Sequence, residues 1–243
     1  MRELEHIPGA SSFGLGGCRL LSGLPADAVM ALERHCRWAA YDAGALVLDS
    51  ASKLQDVYFI AEGAVRVFHR LDGRREITFA EFHAGDAFGE LSALDGGGRT
   101  ADAVASTAAV IAACPQDAFL NALAAHPALA LAVMRKLVGI IRQSDKRIAD
   151  LAAMSGAQRV YAEILRLGAP DPANPRGCVV EPAPLHRDMA SWAGVETDVV
   201  ARAIAHLMKT GLLTRRGAAL IVADRGRVDA LARTYTDSRS GDA

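Results

Sequence analysis

The apolar and polar positions of this chain change period twice. From Leu24 to Trp38 the apolar residues recur at helical spacing, and the pattern predicts a helix with Pro25 in its first turn. Beyond it come short segments rich in Val, Ile and Phe: Ala45 to Asp49, Val57 to Ala61, Ala64 to Arg70 and Glu76 to Glu81. Glu62-Gly63, Asp72-Gly73 and Ala84-Gly85-Asp86 separate them as turns. Asp-Gly between alternating strands is a strong hairpin signal. Several strands at this spacing predict an antiparallel barrel or sandwich, which Val104 to Ala113 extends.

After Cys114-Pro115 the period becomes helical. Ala118 to Ala125 reads as a short helix, and Pro127 starts a longer one running to about Met154. Along it Ala130, Met134, Leu137, Ile141, Ser144, Ile148 and Leu151 alternate steps of four and three, the spacing of a coiled-coil seam. At 1.5 Å per residue this helix is about 40 Å long, more than a small domain needs. A barrel covers only one stripe of it, so a parallel dimer helix is preferred to a helix lying on its own barrel. Residues 157–167 predict another helix, and residues 168–184 hold five of the nine prolines and predict a loop with at most short strands. From His186 the order is helix, turn, helix, then two short strands about Arg215-Arg216-Gly217, the pattern of a winged helix-turn-helix.

The expected fold is therefore α+β: an N-terminal antiparallel β-barrel or jelly roll, a long dimerisation helix and a C-terminal winged helix-turn-helix. The expected boundaries are a flexible lead-in at 1–22, the barrel at 23–126, the dimerisation helix at 127–155, the winged helix-turn-helix at 156–235 and a frayed tail at 236–243.

Composition narrows the class. Of 243 residues, 51% are hydrophobic and 23% charged, as in globular chains. Lys and Arg number 27 against 28 Asp and Glu, which excludes a wholly basic nucleic-acid coat but not a local basic face. The longest apolar stretch, Ala118 to Met134, is interrupted by Asn121, His126 and Pro127, so no membrane span is expected. The opening residues include Glu3, Glu5 and Pro8 and do not read as a signal peptide, so the expected location is the cytoplasm. Cys18, Cys36, Cys114 and Cys178 lack the close spacing of a zinc or iron–sulfur site and read as reduced thiols.

One block carries most of the candidate chemistry: Phe88-Gly89-Glu90-Leu91-Ser92-Ala93-Leu94, then Asp95 and three glycines, then Arg99-Thr100. Gly89 before Glu90 can open a short helix whose free N–H groups face an anion. Arg99 is a planar cation suited to bidentate contact with a phosphate. Glu90 would accept from a sugar hydroxyl, and Thr100 would donate to the phosphate or touch a base. An ordinary glycine loop with a surface Glu–Arg pair is the plain alternative.

The block resembles the phosphate-binding cassette of cyclic-nucleotide-binding domains. With the preceding strand from Asp56 to Ile60, the Glu62-Gly63 and Gly85-Asp86 turns, the long helix and the helix-turn-helix, roughly 200 residues resemble the Crp/Fnr family of bacterial transcription regulators. The resemblance implies cAMP or cGMP as an allosteric ligand held by Phe88, Gly89, Glu90, Leu91, Ser92, Arg99 and Thr100. It also implies base contacts from Ser144 and Asp145 on the long helix, one of them reaching across a dimer. Ser144 on an apolar seam needs a partner or costs about 1–3 kcal/mol. Asp145 departs from the hydroxyl of the cAMP-type regulators. A carboxylate accepts from N1–H and the 2-amino group of guanine, whereas adenine turns a repelling acceptor toward it at N1. Thr100 is also compatible with syn guanine, and a solvated Asp145 or a salt bridge to Arg142 or Arg147 remains the alternative.

His186 to Val195 fits the first helix and turn of the DNA reader, and Glu196 to Leu207 the second. Val200, Ile204 and Leu207 are expected in the core, with Thr197, Asp198, Ala201 and Arg202 on the outer face that enters the major groove. By the resemblance, Asp198 and Arg202 occupy the positions that read C·G and G·C pairs. Asp is one methylene shorter than the family's Glu, and Thr197 replaces a second Arg, which puts the family's usual half-site in doubt. An i,i+4 surface pair is the alternative.

Between Arg187 and Arg227 seven basic residues stand against four acidic ones, the local excess that phosphate contacts require. Arg187, Glu196, Arg215 and Arg216 complete the DNA-facing set, the last two at the wing tip. The implied partners are a palindromic double-stranded operator, a cyclic nucleotide, a second copy of the chain and RNA polymerase, with no membrane. The alternatives are a regulator of the same fold that is constitutive or senses another ligand, and a cupin-like metal enzyme. His69 and His83 are too far apart in the chain for a cupin metal cluster, and as lone histidines in hairpins they are poor haem ligands. No catalytic residue and no metal ligand is expected.

Overall fold

A computed structural model describes residues 1–4, 13–71 and 75–233, divided into two compact units after Ile141. The first unit begins with β1 (Arg2–Leu4), two 3-10 turns at Leu15–Gly17 and Arg19–Leu21, and α1 (Ala26–Glu33). Then come β2 (Arg37–Tyr41), β3 (Leu46–Leu48), β4 (Val57–Glu62), β5 (Ala64–Leu71), β6 (Arg75–His83) and β7 (Ala87–Phe88). After α2 (Glu90–Asp95) follow β8 (Asp102–Ala105), β9 (Ala109–Cys114), α3 (Gln116–Ala125) and α4 (Pro127–Ala153), which continues into the second unit. The strands make two antiparallel sheets, β1-β2-β9-β4-β7 and β3-β8-β5-β6. Val57 and Phe59 on β4 pack toward α1, α3 and α4 with Leu129 and Val133, while Tyr58 and Ile60 alternate to the opposite core with Val65, Phe88 and Ile111.

Several expectations need correction. The helix expected over Leu24 to Trp38 spans only Ala26–Glu33, with Pro25 at its N-cap in an extended conformation. Its expected C-terminal end is β2, because Trp38 and Tyr41 are buried by pairing with Ala112 and Ala109 of β9. The segment Val104 to Ala113 is two strands in different sheets. The break between them carries Thr107, whose Oγ1 accepts from the Ala64 amide at 3.0 Å. A Cβ on Gly63 would lie 2.2 Å from the Ala108 carbonyl oxygen, so the chain can switch sheets here only with glycine at that position.

Residues 13–22, expected in a flexible lead-in, are packed: Leu15 and Leu21 are core residues, and Arg19 pairs with Asp86. Residues 5–12, the Asp72-Gly73 turn and the tail 236–243 lie outside the described residues; β5 and β6, which flank that turn, pair from Ala64↔His83 to Leu71↔Arg75.

On α4 the barrel takes one stripe, Leu129 and Val133 with Leu137 partly buried, and leaves Leu131, Met134, Val138, Ile141 and Ile148 exposed. The exposed seam therefore runs through 131, 134, 138, 141, 145 and 148. The expected seam through Ala130, Leu137 and Ser144 is displaced by one residue at alternate positions, because the barrel claims the stripe that contains Leu137.

The second unit holds the end of α4, α5 (Gly156–Leu167), β10 (Ala169–Asp171), β11 (Asn174–Val180), α6 (His186–Ala193), α7 (Thr197–Lys209), β12 (Leu213–Arg216), β13 (Ala219–Val222) and α8 (Arg225–Arg233). Ser155 caps α5 in a reciprocal capping box with Gln158. The sheet order is β10-β11-β13-β12. The proline-rich stretch is thus more structured than expected. Pro170 is tolerated on the edge strand β10, and Pro175 precedes the part of β11 that pairs with β13, Cys178 to Val180. Helix α8, which was not expected, closes the core with Val228 and Ala232 against Val160, Ile164 and Leu207. Among the described residues no single helix is long and apolar enough to cross a membrane.

Candidate ligand cassette and nucleic-acid interface

The excursion between β7 and β8 is built from the backbone outward. Phe88 ends β7 paired with Tyr58 of β4, and their rings stack with centroids 5.1 Å apart. Gly89 then turns the chain with φ +84°, a left-handed value that glycine accepts without strain. Glu90 opens α2, which ends at Gly96, also left-handed. Helix α2 and the loop back to β8 are tied down at three points. Ser92 Oγ donates to Gly98 O at 3.1 Å, Gln55 Nε2 to Gly97 O at 3.2 Å, and Gln116 Nε2 to Ala93 O at 3.0 Å.

Arg99 returns across the cassette. Its Nη1 donates to the Gly89 carbonyl at 3.0 Å and its Nη2 to the Asp56 carbonyl at 2.8 Å, with Cζ 5.5 Å from the Tyr58 ring centroid. The residue is 9% exposed, and Nε is buried with no hydrogen-bond partner among the described residues. Burial pulls the guanidinium below its ordinary range, opposed by Tyr58 and Asp56. A buried cation with a donor left over is a fitting seat for an anion. The expected alternative, a surface Glu–Arg pair, is not what forms: Glu90 is buried and its cation is Lys136 of α4, Nζ to Oε2 2.7 Å.

Phe88 and Ser92 are buried, whereas Leu91 and Thr100 are exposed. The structure thus groups Phe88, Gly89, Glu90, Leu91, Ser92, Arg99 and Thr100 in one cassette. Ser144 and Asp145 belong to the second unit and are both exposed. On α4, Ser144 continues the stripe of Val133 and Leu137, and Asp145 continues the stripe of Met134, Val138 and Ile141. Arg147, offered as a salt-bridge partner for Asp145, donates to the Trp192 carbonyl at 3.1 Å. Sequence reasoning missed Lys136, Tyr58 and Phe82. The available signal was a lysine one residue short of Leu137 on an otherwise apolar stripe.

In the second unit the C-terminal end of α6 is held by two arginines. Arg159 donates from Nε to Ala193 O at 3.0 Å and from Nη2 to Gly194 O at 3.3 Å, beside the Arg147 bond to Trp192 O. Basic side chains on the last carbonyls stabilise a helix end. They also fix the angle at which Gly194, φ +63°, launches α7. Val200, Ala203, Ile204 and Leu207 are buried, and Thr197, Asp198, Ala201 and Arg202 are exposed along one face. Glu196 is the N-cap of α7, and Asp198 pairs with Arg202 at 2.7 Å. Arg187 is exposed and faces Asp188 at 3.6 Å. Arg215 and Arg216 are exposed at the end of β12, before the left-handed Gly217.

A family model for the cyclic nucleotide-binding domain matches residues 39–126. A CRP-like cAMP-activated global transcriptional regulator of Mycobacterium tuberculosis is 24% identical over 215 residues, covering 88% of this chain and 96% of that one. The cyclic AMP receptor protein of Thermus thermophilus is 28% identical over 200 residues, covering 81% and 88%. The fold is also that of the c-di-GMP responsive global regulator CLP of Xanthomonas campestris, with a TM-score of 0.70 at 18% identity over 82% of this chain and 99% of that one.

Proposed function

The chain belongs to the Crp/Fnr family of transcription regulators, DNA-binding proteins and not enzymes, and from that premise we propose that it is a homodimer gated by a cyclic nucleotide, cAMP or cGMP. The observation that carries the ligand reading is Arg99, a buried cation inside the cassette whose Nε has no protein acceptor among the described residues. A guanidinium carries more donors than the two carbonyls use, so a cyclic phosphate can be taken without breaking the bonds that position it. The Mycobacterium tuberculosis and Thermus thermophilus relatives, named for cAMP, support the same ligand class.

Arg99 meets the phosphate, Glu90 the sugar, and Thr100 the phosphate or base. Ser144 and Asp145 meet the base, Asp145 from the partner copy, since it lies on the exposed seam. Its carboxylate matches the two donors of guanine. The seam of Leu131, Met134, Val138 and Ile141 supports a parallel pair of α4 helices. In that dimer two α7 helices enter successive major grooves of a palindromic operator about 34 Å apart. Thr197, Asp198, Ala201 and Arg202 face the bases, with Arg187, Arg215 and Arg216 along the backbone and Glu196 at the N-cap of α7, beside the bases. The nucleotide acts by binding the DNA-competent arrangement more tightly than the other, because equal affinity for both shifts nothing.

Calorimetric titration of the purified protein with cAMP and with cGMP tests the reading, alongside Arg99→Ala. The variant is expected to lose about 2–5 kcal/mol of binding, as a charge partner is removed. Unchanged affinity in Arg99→Ala removes the cassette from ligand binding. Tighter cGMP binding assigns selectivity to Asp145 and Thr100, and tighter cAMP binding makes Asp145 a helix surface charge.

A further inference from the structure

Glu90 is a carboxylate only 3% exposed. Such a group is stable only with a cation or several donors against it. Arg99 is not that cation: its terminal nitrogens are directed at the carbonyls of Gly89 and Asp56, and among the described residues Glu90 makes its ion pair elsewhere. Lys136 is. Its Nζ lies 2.7 Å from Glu90 Oε2 and donates to the Ala87 carbonyl at 2.6 Å, and it stands 5.6 Å from the centroid of the Phe82 ring. An acceptor, a carboxylate and a ring face together hold the ammonium in one place. The lysine stem leaves α4 beside Val133 and Leu137, which pack on the barrel. The ammonium claims one carboxylate oxygen, Oε2, and among the described residues Oε1 takes no side-chain ion pair, so it can accept.

In a 3′,5′-cyclic ribonucleotide the phosphate esterifies two sugar oxygens, so the 2′-hydroxyl is the sugar donor that remains. We propose that Lys136 is a positioning residue for that hydroxyl: it holds Glu90 so that Oε1 accepts from the ribose 2′-OH, and it thereby sets the preference for a ribonucleotide over its 2′-deoxy form. The assignment rests on the cyclic-nucleotide reading of the cassette. Because Lys136 is on α4, the same ion pair makes the sugar contact sensitive to how that helix lies on its barrel. The role differs from that of a phosphate cation, which would serve ribo and deoxy ligands alike.

The experiment is calorimetric titration of the full chain with cAMP, 2′-deoxy-cAMP, cGMP and 2′-deoxy-cGMP, for wild type, Lys136→Met, Lys136→Arg, Glu90→Gln and the Lys136→Met/Glu90→Gln double variant. Wild type is expected to favour the ribo form by on the order of tenfold or more, the value of a hydrogen bond to a charged acceptor. Lys136→Met should bring that ratio toward unity and Lys136→Arg should keep most of it. The double variant should lower the ratio no further than Glu90→Gln alone. Equal weakening of ribo and deoxy binding in Lys136→Met overturns the proposal, as does an unchanged ratio. Wild type binding ribo and deoxy forms equally also overturns it, leaving the cassette reading intact. Wild type binding none of the four removes the cassette reading itself. A Lys136→Met chain that does not fold leaves the decision to Lys136→Arg and Glu90→Gln. Loss of the ratio in Glu90→Gln with its retention in Lys136→Arg supports the proposal, and any other combination overturns it.

Discussion

Arg99 and Gly89 approach so closely that neither can change alone. Arg99 Nη1 donates to the Gly89 carbonyl at 3.0 Å, and a Cβ on Gly89 would lie 2.9 Å from the same nitrogen. Gly89 also holds φ +84°, where an L side chain costs roughly 1–2 kcal/mol. Gly89→Ala is therefore expected to displace the guanidinium as well as strain the turn. Calorimetry should show weaker cyclic-nucleotide binding, and a thermal melt a lower midpoint. Full affinity in this variant would show that the ligand does not depend on where Arg99 sits.

Val133 and Met134 are consecutive on α4, yet the first is 3% exposed and the second 54%. The difference separates the stripe packed on the barrel from the stripe that stays exposed, the one proposed above as the dimer seam. Ile141→Arg places a charge in the middle of that second stripe, on both copies at once. Sedimentation at micromolar concentration should shift from dimer to monomer, with loss of operator binding. Leu120→Arg, on α3 and exposed elsewhere, should leave the dimer intact. A dimer that survives Ile141→Arg would remove α4 as the interface.

The readable parts of this chain are those whose cause is local. The pairing of β5 with β6 and the faces of α7 depend on residues a few positions apart, and they stand where the pattern put them. Strand β2 does not, because its strand character comes from β9, far along the chain, while its own sequence continues the period of α1. The seam on α4 was displaced for a related reason. Both of its stripes are apolar, and only the barrel decides which one is covered. In the cassette, Gly89, Glu90 and Arg99 announce themselves by spacing. Lys136 does not, since its meaning comes from Glu90 on another element.

Asp102 ties β8 to the loop after β3, its Oδ1 accepting from the Ser50 amide at 2.7 Å. Burial works to raise this carboxyl, but hydrogen bonds from Ser50, with the charges of Arg70 and His69, hold it below its ordinary range. A folded-state value below the unfolded one, near 3.9, means stability that is present at neutral pH and lost as the pH falls through the folded value. Asp102→Asn is expected to cost about 1–3 kcal/mol at pH 7. Denaturant titrations at several pH values should show the gap from wild type closing below pH of about 4. A gap independent of pH would mean that the charge on Asp102 plays no part.

Asp198 and Arg202 pair at 2.7 Å on the exposed face of α7, both side chains open to solvent. An exposed i,i+4 pair is worth only about 0.3–0.5 kcal/mol, so base edges offering better partners can take both groups over. Guanine O6 and N7 match the guanidinium fork, and cytosine N4 matches the carboxylate. Arg202→Ala is therefore expected to relax preference at one base pair per half-site by about 1–3 kcal/mol, with little change on random DNA. Asp198→Ala should relax a different pair. The measurement is competition binding of operators substituted one base pair at a time, at a single fixed salt concentration. Equal losses on specific and random DNA would make Arg202 a phosphate contact, and the shorter Asp198 would then have no base to read.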